Sequence, residues 1–119
     1  MRDHTKLRAF ELADEIVILI YSITFNFPKE EIYSLTSQMR RAAISIPSNI
    51  VEGCARNTES EYIRFLDIAF GSLRELNYQF GLAIRLGYIR ETDAETCKSK
   101  LLEAEKVTGA LIRSLRKQK

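Results

Sequence analysis

Apolar residues recur along this chain at helical spacing, and polar punctuation cuts the pattern into four segments. Between about residues 5 and 25, Ala9, Ala13, Ile16, Val17, Ile20, Ile23 and Thr24 share one arc, while Arg8, Glu11, Asp14, Glu15 and Ser22 share the other. That is the pattern of a helix with one buried face. Asn26-Phe27-Pro28 stops it, because proline disfavours helical geometry in the residue before it. A second helix is predicted over residues 35–54, closed by Gly53 and the polar Arg56-Asn57-Thr58. Thr58 and Glu61 have the form of a capping box opening a third helix over 59–86, with Gly87 placed as its C-terminal cap. Thr92 and Glu95 repeat the signal for a fourth helix over 92–116. Its Ala94, Cys97, Leu101, Ala104, Thr108, Leu111 and Leu115 form a seam for packing at a shallow angle. Four helices, short connections and no strand pattern predict an all-α, antiparallel up-down-up-down four-helix bundle, one domain over residues 1–119.

The middle two helices have more apolar surface than one core requires. On the third, Tyr62, Phe65, Leu66, Ala69, Leu73, Leu76, Phe80, Ala83 and Ile84 form the core stripe. Opposite them Arg64, Ile68, Gly71, Glu75, Tyr78 and Leu82 form a second stripe. The second helix turns Leu35, Met39, Ala42, Ile46 and Ile50 inward, while Ile44 and Val51 point away beside Arg40, Arg41 and Ser48. An uncovered patch of that size is unusual on a monomer. Gly71 costs about 1 kcal/mol in a helix interior relative to alanine, which makes sense where another backbone approaches. The prediction is a homo-oligomer whose interface includes Arg41, Ile44, Ser48, Val51, Arg64, Ile68, Gly71, Glu75, Tyr78 and Leu82. A symmetric hairpin places Arg41 opposite Ser72 and near Glu75, and Glu52 near Arg64, so ion pairs Arg41–Glu75 and Glu52–Arg64 are expected within or between subunits. Pro47 is expected either to kink the second helix or to break it, with Ser45 or Ser48 satisfying the Ala43 carbonyl that it frees.

Composition narrows the chemistry. The longest purely apolar run, Ile16–Ile20, is far short of the roughly 20 residues that span a bilayer, and the N-terminus has no secretory pattern. A soluble cytoplasmic protein is expected, without membrane contact. Cys54 and Cys97 match no metal-ligand spacing and read as free buried thiols. His4 is the only histidine, so a histidine-based triad, a histidine-rich metal site and the Glu-x-x-His pairs of di-iron bundles all lack support. No enzymatic activity, cofactor, metal or small-molecule substrate is expected. The net charge of +2 conceals an asymmetry: residues 98–119 carry seven basic and two acidic side chains, a balance of +5, leaving −3 for the rest. Such an end suits nucleic acid. It also suits a helix C-terminus, where cations offset the macrodipole.

Several stretches together resemble the four-helix-bundle family named for 23S rRNA intervening-sequence proteins. They are FPKEEIYSLTSQ (residues 27–38), LTSQMRRAA (35–43), SIPSNIVEG (45–53) with Arg56, RFLDIAFGSLREL (64–76) and LGYI (86–89). The resemblance covers nearly the whole chain. It implies an antiparallel bundle of bacterial origin, commonly assembled as a homopentamer. The family name records the location of genes within insertions in 23S rRNA genes. A similar fold occurs in the accessory protein of diversity-generating retroelements, which partners a reverse transcriptase and binds nucleic acid. Arg40, Arg41, Asn49, Glu52, Arg56, Ser72 and Glu75 are the matching polar positions. The expected function is therefore an oligomeric module binding RNA or a ribonucleoprotein, with Arg40, Arg56, Arg113, Arg116 and Lys117 as candidate contacts. The alternative is an oligomeric scaffold for a protein partner.

Overall fold

The computed structural model of the chain describes residues 2–118. Its helices are α1 (Arg8–Thr24), α2 (Leu35–Cys54), α3 (Glu59–Arg85) and α4 (Glu91–Lys117), with single 3-10 turns at His4–Lys6 and Lys29–Glu31. No strand occurs among the described residues. Cross-helix pairs fix the directions. Arg8 and Glu15 of α1 bond Glu103 and Lys100 of α4, so rising numbers meet falling ones. Arg74 and Asp67 of α3 meet Glu105 and Arg116 of α4 in the same sense. Near the far end of α1, Arg40 of α2 reaches Thr24, while the backbone N–H of Arg2 reaches the Cys54 carbonyl at the opposite end. The bundle is up-down-up-down and measures 45 × 25 × 20 Å, its length set by the two 27-residue helices.

The core follows the predicted arcs with instructive departures. Every predicted core residue of α2 is buried, joined by Ala43, Thr36, Gly53 and Cys54. On α1 the buried arc gains Leu12 and leaves Val17 and Ile23 at its edge. Phe65 and Ile84 of α3 are only partly buried. On α4 the seam holds through Ala94, Cys97, Leu101, Ala104 and Thr108, then passes to Gly109 and Ile112, leaving Leu111 and Leu115 half-buried. A straight helix of 3.6 residues per turn drifts away from a 3.5-residue repeat, and after two heptads the drift reassigns the inward positions. Both cysteines are buried and unpaired.

Local chemistry sets the ends. Gly87 adopts φ +80, and its N–H bonds the Ile84 carbonyl while that of Tyr88 bonds Ala83, closing α3 as expected of a glycine cap. Thr58 accepts the Glu61 N–H at 3.2 Å, but Glu61 turns to Arg64 rather than completing a capping box. Two predicted starts move. α1 begins at Arg8, because Asp3 accepts from the Thr5 backbone and hydroxyl and winds residues 4–6 into a separate turn. α4 begins at Glu91, with Arg90 at the cap reaching Asp93 at 2.9 Å, so the Thr92–Glu95 box is not used. α2 runs unbroken through Pro47, which removes the option that a new helix starts there. Neither Ser45 nor Ser48 donates to the Ala43 carbonyl; Ser45 pairs with Ser72 at 2.8 Å.

Candidate functional site

The outward residues of α2 and α3 stand where their helical phase puts them. Ile44, Val51, Ile68 and Tyr78 are 41%, 38%, 40% and 63% exposed, amounts that no core role explains. Arg41, Ser48, Arg64, Gly71 and Glu75 are exposed too, and Leu82 is partly buried. They do not form one flat patch. Ile44, Ser48 and Val51 line a cleft of about 370 Å³ with Pro47 and with Asp14 and Val17 of α1. Arg64 and Ile68 line another, of about 600 Å³, with Ile63, Asp67 and Arg116. Between them lies a groove of about 380 Å³ along the α2–α3 seam, lined by Gln38, Arg41, Ala42, Ser45, Ser72 and Glu75.

That central groove is polar for a reason of register. Ser45, not Arg41, faces Ser72, because the loop at residues 55–58 displaces α3 by about one turn from a symmetric hairpin. The two expected ion pairs are not formed within the chain, although this register does not separate their partners. Glu52 bonds Arg56 at 2.6 Å, and Arg64 approaches Glu61 at 3.8 Å. Arg41 makes no ion pair or hydrogen bond among the described residues. Asn49 donates to the Ser45 carbonyl and hydroxyl at 2.8 and 3.0 Å, extending the polar row. Beneath the groove Gln79, 4% exposed, donates its amide to Glu75 at 3.3 Å, while its Oε1 is buried with no partner in the chain.

The five candidate nucleic-acid residues divide into two groups. Arg40 turns inward, bonding Thr24 at 2.8 Å and lying over the Tyr21 ring at 4.6 Å. Arg56 is held by Glu52 and covers Phe65, and Arg116 is held by Asp67. Arg113 and Lys117 are exposed on the last turns of α4 and have no acidic partner among the described residues. Periodicity gave no hint of Arg2. Its guanidinium lies 4.1 Å above Tyr62 and bonds Glu59 at 2.8 Å and the Arg56 carbonyl at 3.2 Å, tying the N-terminal turn to the α2–α3 loop.

Reactive groups are quiet. Burial pushes the Cys97 thiol up to about 12 and raises Cys54 as well, so both are protonated at neutral pH and poor nucleophiles. His4 stacks edge-on against Phe10 at 4.7 Å. Among the described residues no three His, Cys, Asp or Glu side chains gather to hold a metal, and no helix is long and apolar enough to cross a membrane.

A family model described as 23S rRNA-intervening sequence protein matches residues 5–110. Among solved structures, the chain is similar to a protein with unknown function from the S23 ribosomal protein family of Bacteroides thetaiotaomicron VPI-5482. The TM-score is 0.79 at 23% identity, covering 88% of this chain and 95% of that one, a likeness of fold. A search of curated proteins finds no match.

Proposed function

The chain belongs to the 23S rRNA-intervening sequence protein family, and from that premise we propose that it is a non-catalytic module working as a homo-oligomer. One observation carries the reading: Ile44, Val51, Ile68 and Tyr78 lie exposed on the outer faces of two helices whose inner faces already complete a core. Covering them with a second copy removes apolar surface from water at about 25 cal/mol per Å². Five copies is the number that the family resemblance implies. The protonated thiols and the single, aromatic-stacked histidine offer no activated nucleophile or base to support catalysis. Light scattering at micromolar concentration tests the proposal. An oligomer that Ile68→Asp reduces to a folded monomer is expected; a monomeric wild type refutes it.

Nucleic-acid contact is a second reading, favoured by the exposed, unpaired Arg113 and Lys117. Arg40, Arg56 and Arg116 would first have to leave partners within the chain. A protein–protein scaffold needs no such exchange, and we favour it. An electrophoretic shift series with structured RNA and duplex DNA separates the two. Binding at low salt that weakens steeply as salt rises supports the nucleic-acid reading. No binding at low salt removes it.

A further inference from the structure

We propose that Arg41 of one copy pairs with Glu75 of the next, so that the α2–α3 groove is the charged centre of the self-association face. This rests on the reading above and adds the contact that sets its register. Both residues line one groove, yet within a chain they form no ion pair. Their neighbours are committed elsewhere. Arg74 bonds Glu105 at 3.0 Å, Arg85 lies over Tyr78, and Glu52 holds Arg56. One cation and one anion are left in the same groove, and the surface is complementary to itself.

The flanks explain why the two charges need a partner once copies associate. Ile44 and Val51 line the neighbouring cleft against α1 and Ile68 the cleft toward Arg116 of α4, so a copy seated on those side chains closes over the groove. A charge covered in this way without a partner is strongly unfavourable, because desolvation is not offset by attraction. An arginine facing a carboxylate supplies two parallel N–H···O bonds and fixes orientation. The groove is built to present the acid: the Gln79 amide holds the Glu75 carboxylate from beneath, and Ser45 and Ser72 offer hydroxyls along its floor. A neutral groove would bury as much area without selecting which copy docks, or in what register.

Charge reversal tests the assignment. Arg41→Glu, Glu75→Arg, the double swap and an equimolar mixture of the two single variants are followed by sedimentation and light scattering, with circular dichroism to confirm the fold. Each single variant repels its own copies, and association weakens on the order of a hundredfold. The double swap restores self-association, and the two single variants associate with each other, because every junction between unlike variants joins an arginine to a glutamate, an odd-numbered ring keeping one like-charged junction. Single variants that assemble like wild type overturn the pairing and leave self-association standing. A double swap that assembles while the mixture stays monomeric places the pair within one chain and also overturns it. A monomeric wild type removes the underlying reading and this one together.

Discussion

Gly53 of α2 lies against Phe65 of α3 so closely that a Cβ at position 53 would stand 2.9 Å from the Phe65 Cβ and 3.3 Å from the Tyr62 ring and carbonyl. Neither obstacle is the far end of a flexible chain, so an added methyl must separate the helices. Alanine is the better helix former by about 1 kcal/mol, but overpacking at a fixed contact costs about 1 to 3 kcal/mol. Gly53→Ala is expected to lower stability in urea unfolding by up to about 2 kcal/mol. A rise in stability would show that the α2–α3 approach is looser than this contact implies.

Gly71 gives the opposite result for the same substitution. Nothing lies within 4 Å of a Cβ built there, and the residue is exposed in mid-α3. Gly71→Ala is expected to raise the stability of the folded chain by about 0.5 to 1 kcal/mol through backbone entropy alone. On the proposed reading, its close neighbour comes from another copy. The same variant is expected to associate more weakly in light scattering, and unchanged association would mean that no second backbone approaches Gly71.

These two glycines show what the sequence could and could not convey. Helical phase alone put Gly71 on the outer stripe and Met39, Ile46, Leu66 and Leu73 in the core, because burial follows the 3.6-residue period whatever the partner is. Register depends on how four loop residues climb between two helices, and no periodicity encodes that. A symmetric hairpin therefore sets Arg41 opposite Ser72, one turn from where Ser45 stands. The Thr92–Glu95 capping box fails for a similar reason, whereas Thr58 caps α3 as its spacing predicts. Thr92 has the right spacing, but Arg90 and Asp93 start the helix earlier. The Arg2 clamp and the buried Gln79 amide left no trace in the pattern, since one polar residue among many carries no period.

The Glu31–Tyr88 contact joins the α1–α2 loop to the α3–α4 loop and gives stability a pH dependence. The Tyr88 hydroxyl donates to Glu31 at 2.7 Å and the Leu35 N–H donates at 3.2 Å, and these bonds hold the carboxyl below its ordinary 4.5. A carboxylate depressed by folding stabilises the protein above its unfolded pKa, and that contribution fades as pH falls through the folded value. Tyr88→Phe keeps the ring packed at 5.3 Å from Phe27 and removes only the hydroxyl. It is expected to melt below wild type at pH 7, with the gap narrowing as pH falls below the ordinary 4.5 and Glu31 protonates. A gap that does not change with pH would mean that the hydroxyl acts without the charge.

Gln79 separates fold from assembly most directly. Its Oε1 is buried without a partner in the chain, a polar burial that costs about 1 to 3 kcal/mol when nothing offsets it. Leucine fills a similar volume with no polar atom, so Gln79→Leu is expected to match or exceed wild-type stability by about 1 kcal/mol in chemical denaturation. The same change removes the 3.3 Å bond that holds Glu75 toward the groove. Freed from it, the carboxylate samples more rotamers before it can meet a guanidinium, and association is expected to weaken even as the fold gains. Loss of more than about 2 kcal/mol of stability would show that the amide is satisfied after all. Unchanged association in a stable variant would show that Glu75 needs no positioning.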